Sequence, residues 1–150
     1  MSLPRRAACL SLLLLLGGCA SAGGHWVELA GTRYQVEVAQ DDASRARGLM
    51  FRDRMDGDRG MLFIHDRLEP QAYWMKNTRI PLDILYFDDS RRLVSQQRDV
   101  PPCSAGDACP PYPSFKPARY VLELNAGQAA KLKLEDGTEL LFGPGIPKAK

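Results

Sequence analysis

The segment Trp74-Met75-Lys76-Asn77-Thr78, followed by Asp83, holds the densest set of groups able to do chemistry: an indole, an ammonium, a carboxamide, a hydroxyl and a carboxylate. In an extended chain Lys76 and Thr78 face one side while Met75 and Asn77 face the other. Asp83 interrupts the apolar run Leu82-Asp83-Ile84-Leu85-Tyr86-Phe87, where an unpaired carboxylate would be costly to bury. It therefore requires a partner, and Arg47 or Lys76 would serve. As a ligand pocket, Lys76 and Arg47 would hold an anion or hydroxyl, Trp74 would stack, and Asp83 would orient them. Asn77 belongs to the same cluster, and the Pro-rich loop around Cys103 and Cys109, with Tyr112 and Phe115, would line a binding surface there or serve only to stabilise a small domain. The competing reading makes the same residues a buried ion-pair and amide network that fixes the register of a sheet.

Other chemistry finds less support. Met50, Met61 and Met75 could join His65, Cys103 and Cys109 as soft ligands for Cu(I), but each Met has large apolar neighbours and reads more simply as core filler. Zinc-like Cys/His spacing is absent, so no metal ligand is assigned. The chain has no Gly-x-Ser-x-Gly, no phosphate-cradling glycine loop and no His/Glu zinc helix, so no catalytic nucleophile is identified and no cofactor is expected. Asp83 and Glu123 could form an acid/base couple, though nothing in their spacing brings them together.

The amino terminus sets the expected compartment. Arg5 and Arg6 precede the apolar run Leu10 to Leu16, and Gly17-Gly18-Cys19 closes it. That order is a secretory signal, too short to remain as a spanning helix. Leu16-Gly17-Gly18-Cys19 resembles the bacterial lipobox, which implies a signal peptide over residues 1–18, lipid on Cys19 and a lipidated tether over 19–25. Ala20 and Ser21 lack the Asp that retains such proteins at the inner membrane, so the resemblance implies the outer membrane, facing the periplasm. Residues 1–18 carry two Arg and no acid, so their removal leaves 18 basic against 18 acidic side chains. A net charge of zero argues against a nucleic-acid partner; the expected partners are the membrane, through the lipid, and a small polar ligand or glycan. Of the four Cys, Cys9 leaves with the signal and Cys19 takes lipid. Cys103 and Cys109, close together in an oxidising compartment, are expected to form a disulfide.

Short strands separated by turns make up the rest. Trp26 to Leu29 and Thr32 to Val38 are hinged at Gly31, with Tyr34, Val36 and Val38 alternating against polar residues. Asp41 or Asp42 caps a short helix through Arg47, which Gly48 ends. Strands are expected over Gly60 to His65, Tyr73 to Asn77, Leu82 to Phe87, Arg92 to Arg98 (a hairpin return), Arg119 to Leu124 and Glu139 to Phe142, with a second helix over Ala126 to Leu132. The Pro-rich stretch from Pro101 to Pro117 reads as an irregular stapled loop. The fold class is all-β, a mostly antiparallel jelly-roll-like sandwich or barrel with one or two short helices. It forms a single domain over residues 26–143, with a flexible tail over 144–150.

The strings Arg47-Gly48-Leu49-Met50-Phe51-Arg52, Gly60-Met61-Leu62-Phe63, Trp74-Met75-Lys76-Asn77-Thr78, Ile80-Pro81-Leu82-Asp83-Ile84 and Tyr120-Val121-Leu122-Glu123-Leu124-Asn125-Ala126-Gly127 occur in that order. They resemble domain-of-unknown-function family 192, an uncharacterised exported or membrane-associated family, over about Val27 to Phe142. The resemblance implies a compact β-rich, jelly-roll-like domain and brings no activity with it. The functional expectation is a lipid-anchored periplasmic module that binds a small polar ligand or glycan. An envelope enzyme using Asp83 as acid or base, and a copper-handling protein, are the alternatives.

Overall fold

Runs in which every residue is apolar, rather than every second one, mark strands covered on both faces. Gly60-Met61-Leu62-Phe63-Ile64 is such a run and Leu82 to Phe87 is one broken only by Asp83, and both become inner strands of the sheet. The structure, a computed structural model, describes residues 24–149. The signal segment, Cys19 and most of the tether lie outside the described residues.

Seven strands form one curled half-barrel sheet. In chain order they are β1 (Trp26–Leu29), β2 (Thr32–Ala39), β3 (Arg59–Trp74), β4 (Leu82–Phe87), β5 (Leu93–Val100), β6 (Pro111–Asn125) and β7 (Leu140–Phe142). Helix α1 (Asp42–Arg47) links β2 to β3, and α2 (Gln128–Lys131) follows β6. The spatial order is β5-β4-β6-β3-β2-β1-β7. Only β2 and β3 pair in parallel; every other neighbour pair is antiparallel. The all-β, mostly antiparallel expectation holds, as one sheet rather than two stacked ones.

Each face of the central strands carries its own core. On the first face Leu62, Ile64, Leu85, Phe87, Leu122 and Leu124 pack with residues of β1, β2, β7 and α2. On the second, Met61, Phe63, Ile84, Tyr86 and Val121 pack with Leu49, Met75 and Ile80 from the connecting segments and with Val100 at the end of β5. Residues directly opposite in an antiparallel pair share a face. Asp83 lies opposite Leu124 and so belongs to the first face, whereas Glu123 lies opposite Ile84 and Met61 and belongs to the second.

Three boundaries differ from the sequence reading. Gly60 to His65 and Tyr73 to Asn77 are not two strands: β3 runs unbroken through Asp66, Pro70 and Trp74, with register shifts against β6 between Ile64 and Glu69 and again between Pro70 and Ala72. The bulges absorb residues that look like a turn in one dimension. The irregular loop is also shorter than expected, because β6 begins at Pro111. Its first half pairs with β3, while β4 joins only from Tyr120 onward. Prolines there remove no donor from a second ladder. The tail residues Ile146 and Ala149 lie against the first core.

Candidate functional site

Helix α1 is held at its start by Asp41, whose side chain accepts from the Ser44 backbone N–H at 2.8 Å, while the Asp41 N–H donates to Ser44 Oγ. Gly48 ends it with φ 46°, a conformation that costs glycine little. This turns the chain into a loop that buries Leu49, half-buries Met50 and leaves Phe51 at the surface. Opposite, β3 ends at Trp74 and the chain turns through Asn77, whose φ of 56° is left-handed and is tolerated by asparagine better than by most residues. The Asn77 carbonyl accepts the Phe51 N–H at 2.8 Å, which ties the two turns together.

Arg47, Trp74 and Lys76 thereby meet. They line a crevice of about 30 Å³ together with Arg45, Tyr73, Thr78 and Glu123. A water needs roughly 10–15 Å³ of such space, so the crevice admits about two water-sized groups. Thr78 also borders an open depression of about 350 Å³, lined by Phe51, Asn77, Arg79, Pro102, Cys103 and Ser104. Trp74 is 43% exposed and Phe51 56%, a large exposure for rings of their size. The Lys76 ammonium stands 4.8 Å from the centre of the Trp74 ring and pairs with Asp107.

The stapled loop supplies Asp107. Cys103 and Cys109 are joined by a disulfide, and a single 3₁₀ turn over Gly106–Ala108 lies between them. The Cys103 N–H donates to the Thr78 carbonyl at 3.3 Å, docking the loop on the segment after β3. Closing so short a loop stabilises by roughly 2–2.5 kcal/mol in the chain-entropy account. Reduction is expected to lower the unfolding free energy by about that amount, read from denaturant midpoints with and without dithiothreitol. Both thiols should stay unalkylated until reductant is added.

Glu123 is the residue that sequence reasoning placed wrongly in space. Tyr120, Leu122 and Leu124 alternate with residues that include Glu123, a spacing that by itself would put Glu123 on an exposed face, yet it is only 4% exposed. The signal was present: Val121, on the same face, is apolar, so Glu123 interrupts an apolar run as Asp83 does. Burial alone pushes its carboxyl up to about 8. Gly60 is what lets β3 approach so closely here, since a Cβ at that position would stand 2.7 Å from the Glu123 carbonyl oxygen.

Around Glu123, Tyr73 and Tyr86 stack edge to face at 6.1 Å. The Tyr73 hydroxyl is 2.9 Å from His65 Nε2. Burial, with Arg45 nearby, lowers His65 to about 4, and burial raises Tyr73 well above its ordinary value. Arg45 is engaged elsewhere, donating to the Ile64 carbonyl at 2.9 Å and pairing with Asp42 at 2.6 Å.

Two sequence candidates stand apart. Asp83, fully buried on the other face, pairs with neither Arg47 nor Lys76. Its oxygens accept the backbone N–H groups of Asp99 at 2.9 Å and Ala129 at 2.7 Å. Tyr112 is half-buried against the second core, and its carbonyl accepts the Tyr86 hydroxyl at 2.5 Å. As for soft metals, Met61 and Met75 are buried in the second core and the two Cys are joined. Among the described residues no group of three His, Cys, Asp or Glu is placed to hold a metal ion.

No curated protein matches the chain. Solved structures do, among them the following two. A protein of unknown function from Novosphingobium aromaticivorans DSM 12444 is 32% identical, with a TM-score of 0.69 over 77% of this chain and 81% of that one. A protein from Sinorhizobium meliloti 1021, provisionally described as a transcription regulator, is 34% identical, with a TM-score of 0.71 over 79% and 91%. Residues 25–142 match the family described as "Uncharacterized ACR, COG1430", and the chain belongs to that family, DUF192.

Proposed function

We propose that this protein is a lipid-anchored periplasmic module that binds a small polar ligand, a glycan fragment above all, on the surface between the Gly48–Phe51 turn, Trp74–Arg79 and the stapled loop. The observation that carries the reading is the exposed Trp74 ring with the Lys76 ammonium beside it. An apolar face next to fixed polar groups is how small-molecule sites obtain both affinity and orientation. The adjoining depression of about 350 Å³ falls within the usual range for such sites. A nucleic-acid role draws no support from the balanced charge of the processed chain, whatever the description of the Sinorhizobium relative.

Titration of the purified protein with wall-derived sugars should perturb Trp74 emission, and Trp74→Ala should weaken binding at least tenfold without lowering stability by more than about 1 kcal/mol. Unchanged affinity in that variant would sink the proposal. Anchoring is tested separately: Cys19→Ser should abolish lipid labelling and release the protein from washed membranes.

A second reading, an envelope enzyme, rests on Glu123 rather than Asp83. A carboxyl that exchanges its proton near neutral pH suits a general acid or base, whereas both Asp83 oxygens are occupied by backbone donors.

A further inference from the structure

Glu123 borders the crevice beneath Trp74 and is its most deeply buried ionisable residue. The two cations on the crevice wall nearest the surface are Arg47 and Lys76. Lys76 is paired with Asp107, whose side chain is largely exposed; an exposed pair of that kind contributes little and is easily exchanged. Arg47 takes part in no ion pair among the described residues. The crevice therefore offers positive charge at its mouth, an uncharged acid inside, and space for about two water-sized groups. The two oxygens of a carboxylate need that much space and that arrangement of donors.

We propose that the crevice is a carboxylate subsite of the ligand surface, in which Arg47 and Lys76 supply charge and Glu123, as a carboxylic acid, donates a hydrogen bond to the bound anion. The ligand class is then an acidic sugar or another small carboxylate-bearing molecule rather than a neutral one. This rests on the ligand-binding reading above and narrows it. Hydrogen bonds from a hydroxyl to an oxyanion are among the stronger ones. They vanish when the donor loses its proton, leaving a carboxylate that repels the ligand.

The charged and titratable groups around Glu123 are Arg45 and Arg47 from α1, His65 and Tyr73 from β3, Tyr86 from β4 and Lys76 beyond β3. His65 has given up its proton well below neutral pH, and Tyr73 and Tyr86 keep theirs above the usual phenol range. Glu123, titrating at about 8, is the group that changes between them.

The test uses the detergent-solubilised full chain and three probes: N-acetylmuramic acid, N-acetylglucosamine and acetate. At pH 6.5 the acidic sugar should bind at least tenfold tighter than the neutral one. That preference should disappear at pH 9.5 in the unaltered protein and persist there in Glu123→Gln, whose amide remains an uncharged donor. Should Glu123→Gln fail to fold, Lys76→Met and Arg47→Met provide the check, each weakening the acidic sugar tenfold while leaving the neutral sugar unchanged. Equal binding of the two sugars at pH 6.5, or a preference that survives at pH 9.5 in the unaltered protein, overturns the subsite and leaves the ligand surface standing. If neither sugar binds, the glycan reading fails. Acetate then decides the subsite, retained if acetate binding follows the same pH and Gln pattern and overturned if it does not.

Discussion

Replacing Asp83 by Ala is expected to lower the unfolding free energy by about 3–6 kcal/mol, because two charge-assisted hydrogen bonds are lost at roughly 1.5–3 kcal/mol each. Each of those bonds answers a local defect. The register of β4 against β5 slips between Leu82 and Ile84, a bulge that leaves Asp99, at φ 51°, with an N–H the ladder does not take. Asp83 accepts it. Helix α2 begins after Gly127, which has no side chain to cap it, and Asp83 accepts the Ala129 N–H as a capping residue would. Asn at position 83 keeps one acceptor oxygen but turns an amide N–H₂ toward the other donor, so Asp83→Asn should cost about half as much. Lys76→Met should cost less than about 1 kcal/mol, since Lys76 pairs with an exposed acid. The two residues act on opposite faces of the sheet, so the double variant should be additive within about 0.5 kcal/mol. Recovery of stability in the double variant, measured by denaturant unfolding, would show a direct Asp83–Lys76 bridge and contradict the assignment.

Asp83 also shows how far the sequence could be read. That a carboxylate in an apolar strand needs a partner follows from desolvation alone, and it has two. That both are backbone N–H groups, released by a bulge and by a glycine-started helix, depends on tertiary registers that no local pattern encodes. The same limit applies to the strands. Tyr34, Val36 and Val38 alternate, so β2 was legible with its boundaries. The middle of β3 was not, because Asp66, Arg67 and Pro70 look like a turn until β6 is laid beside them. Arg47, Trp74 and Lys76 could be grouped because a cation and an aromatic ring near a strand end invite it, and the fold does bring them to one crevice. Glu123 was hidden by an alternation that looked half-exposed. Only the flanking β3 and β4 reveal that the strand is covered on both sides.

The second large effect is a fall in stability with rising pH above 6.5. Glu123 is raised from 4.5 in the unfolded chain to about 8 in the fold, so between those values the unfolded state has released a proton that the native state retains. Stability from this group is complete below pH 4.5 and is lost as pH rises through about 8, at up to about 1.4 kcal/mol per pH unit. His65 works in the opposite sense. Lowered from 6.5 to about 4, it contributes stability that is present above 6.5 and lost as pH falls through 4, and solvent screening of this half-buried ring reduces the total contribution. From pH 4.5 to 6.5 the two slopes oppose each other and the net change is small. Above 6.5 only Glu123 remains, and the loss by pH 8 should reach up to about 2 kcal/mol. Glu123→Gln removes that alkaline limb and uncovers the acid limb of His65, so its stability should be level from pH 6.5 to 8 and fall below 6.5. Chemical denaturation at half-unit pH steps on both proteins measures each limb. An alkaline limb unchanged in Glu123→Gln would assign it to another group and remove the buried, protonated Glu123 on which the carboxylate subsite depends.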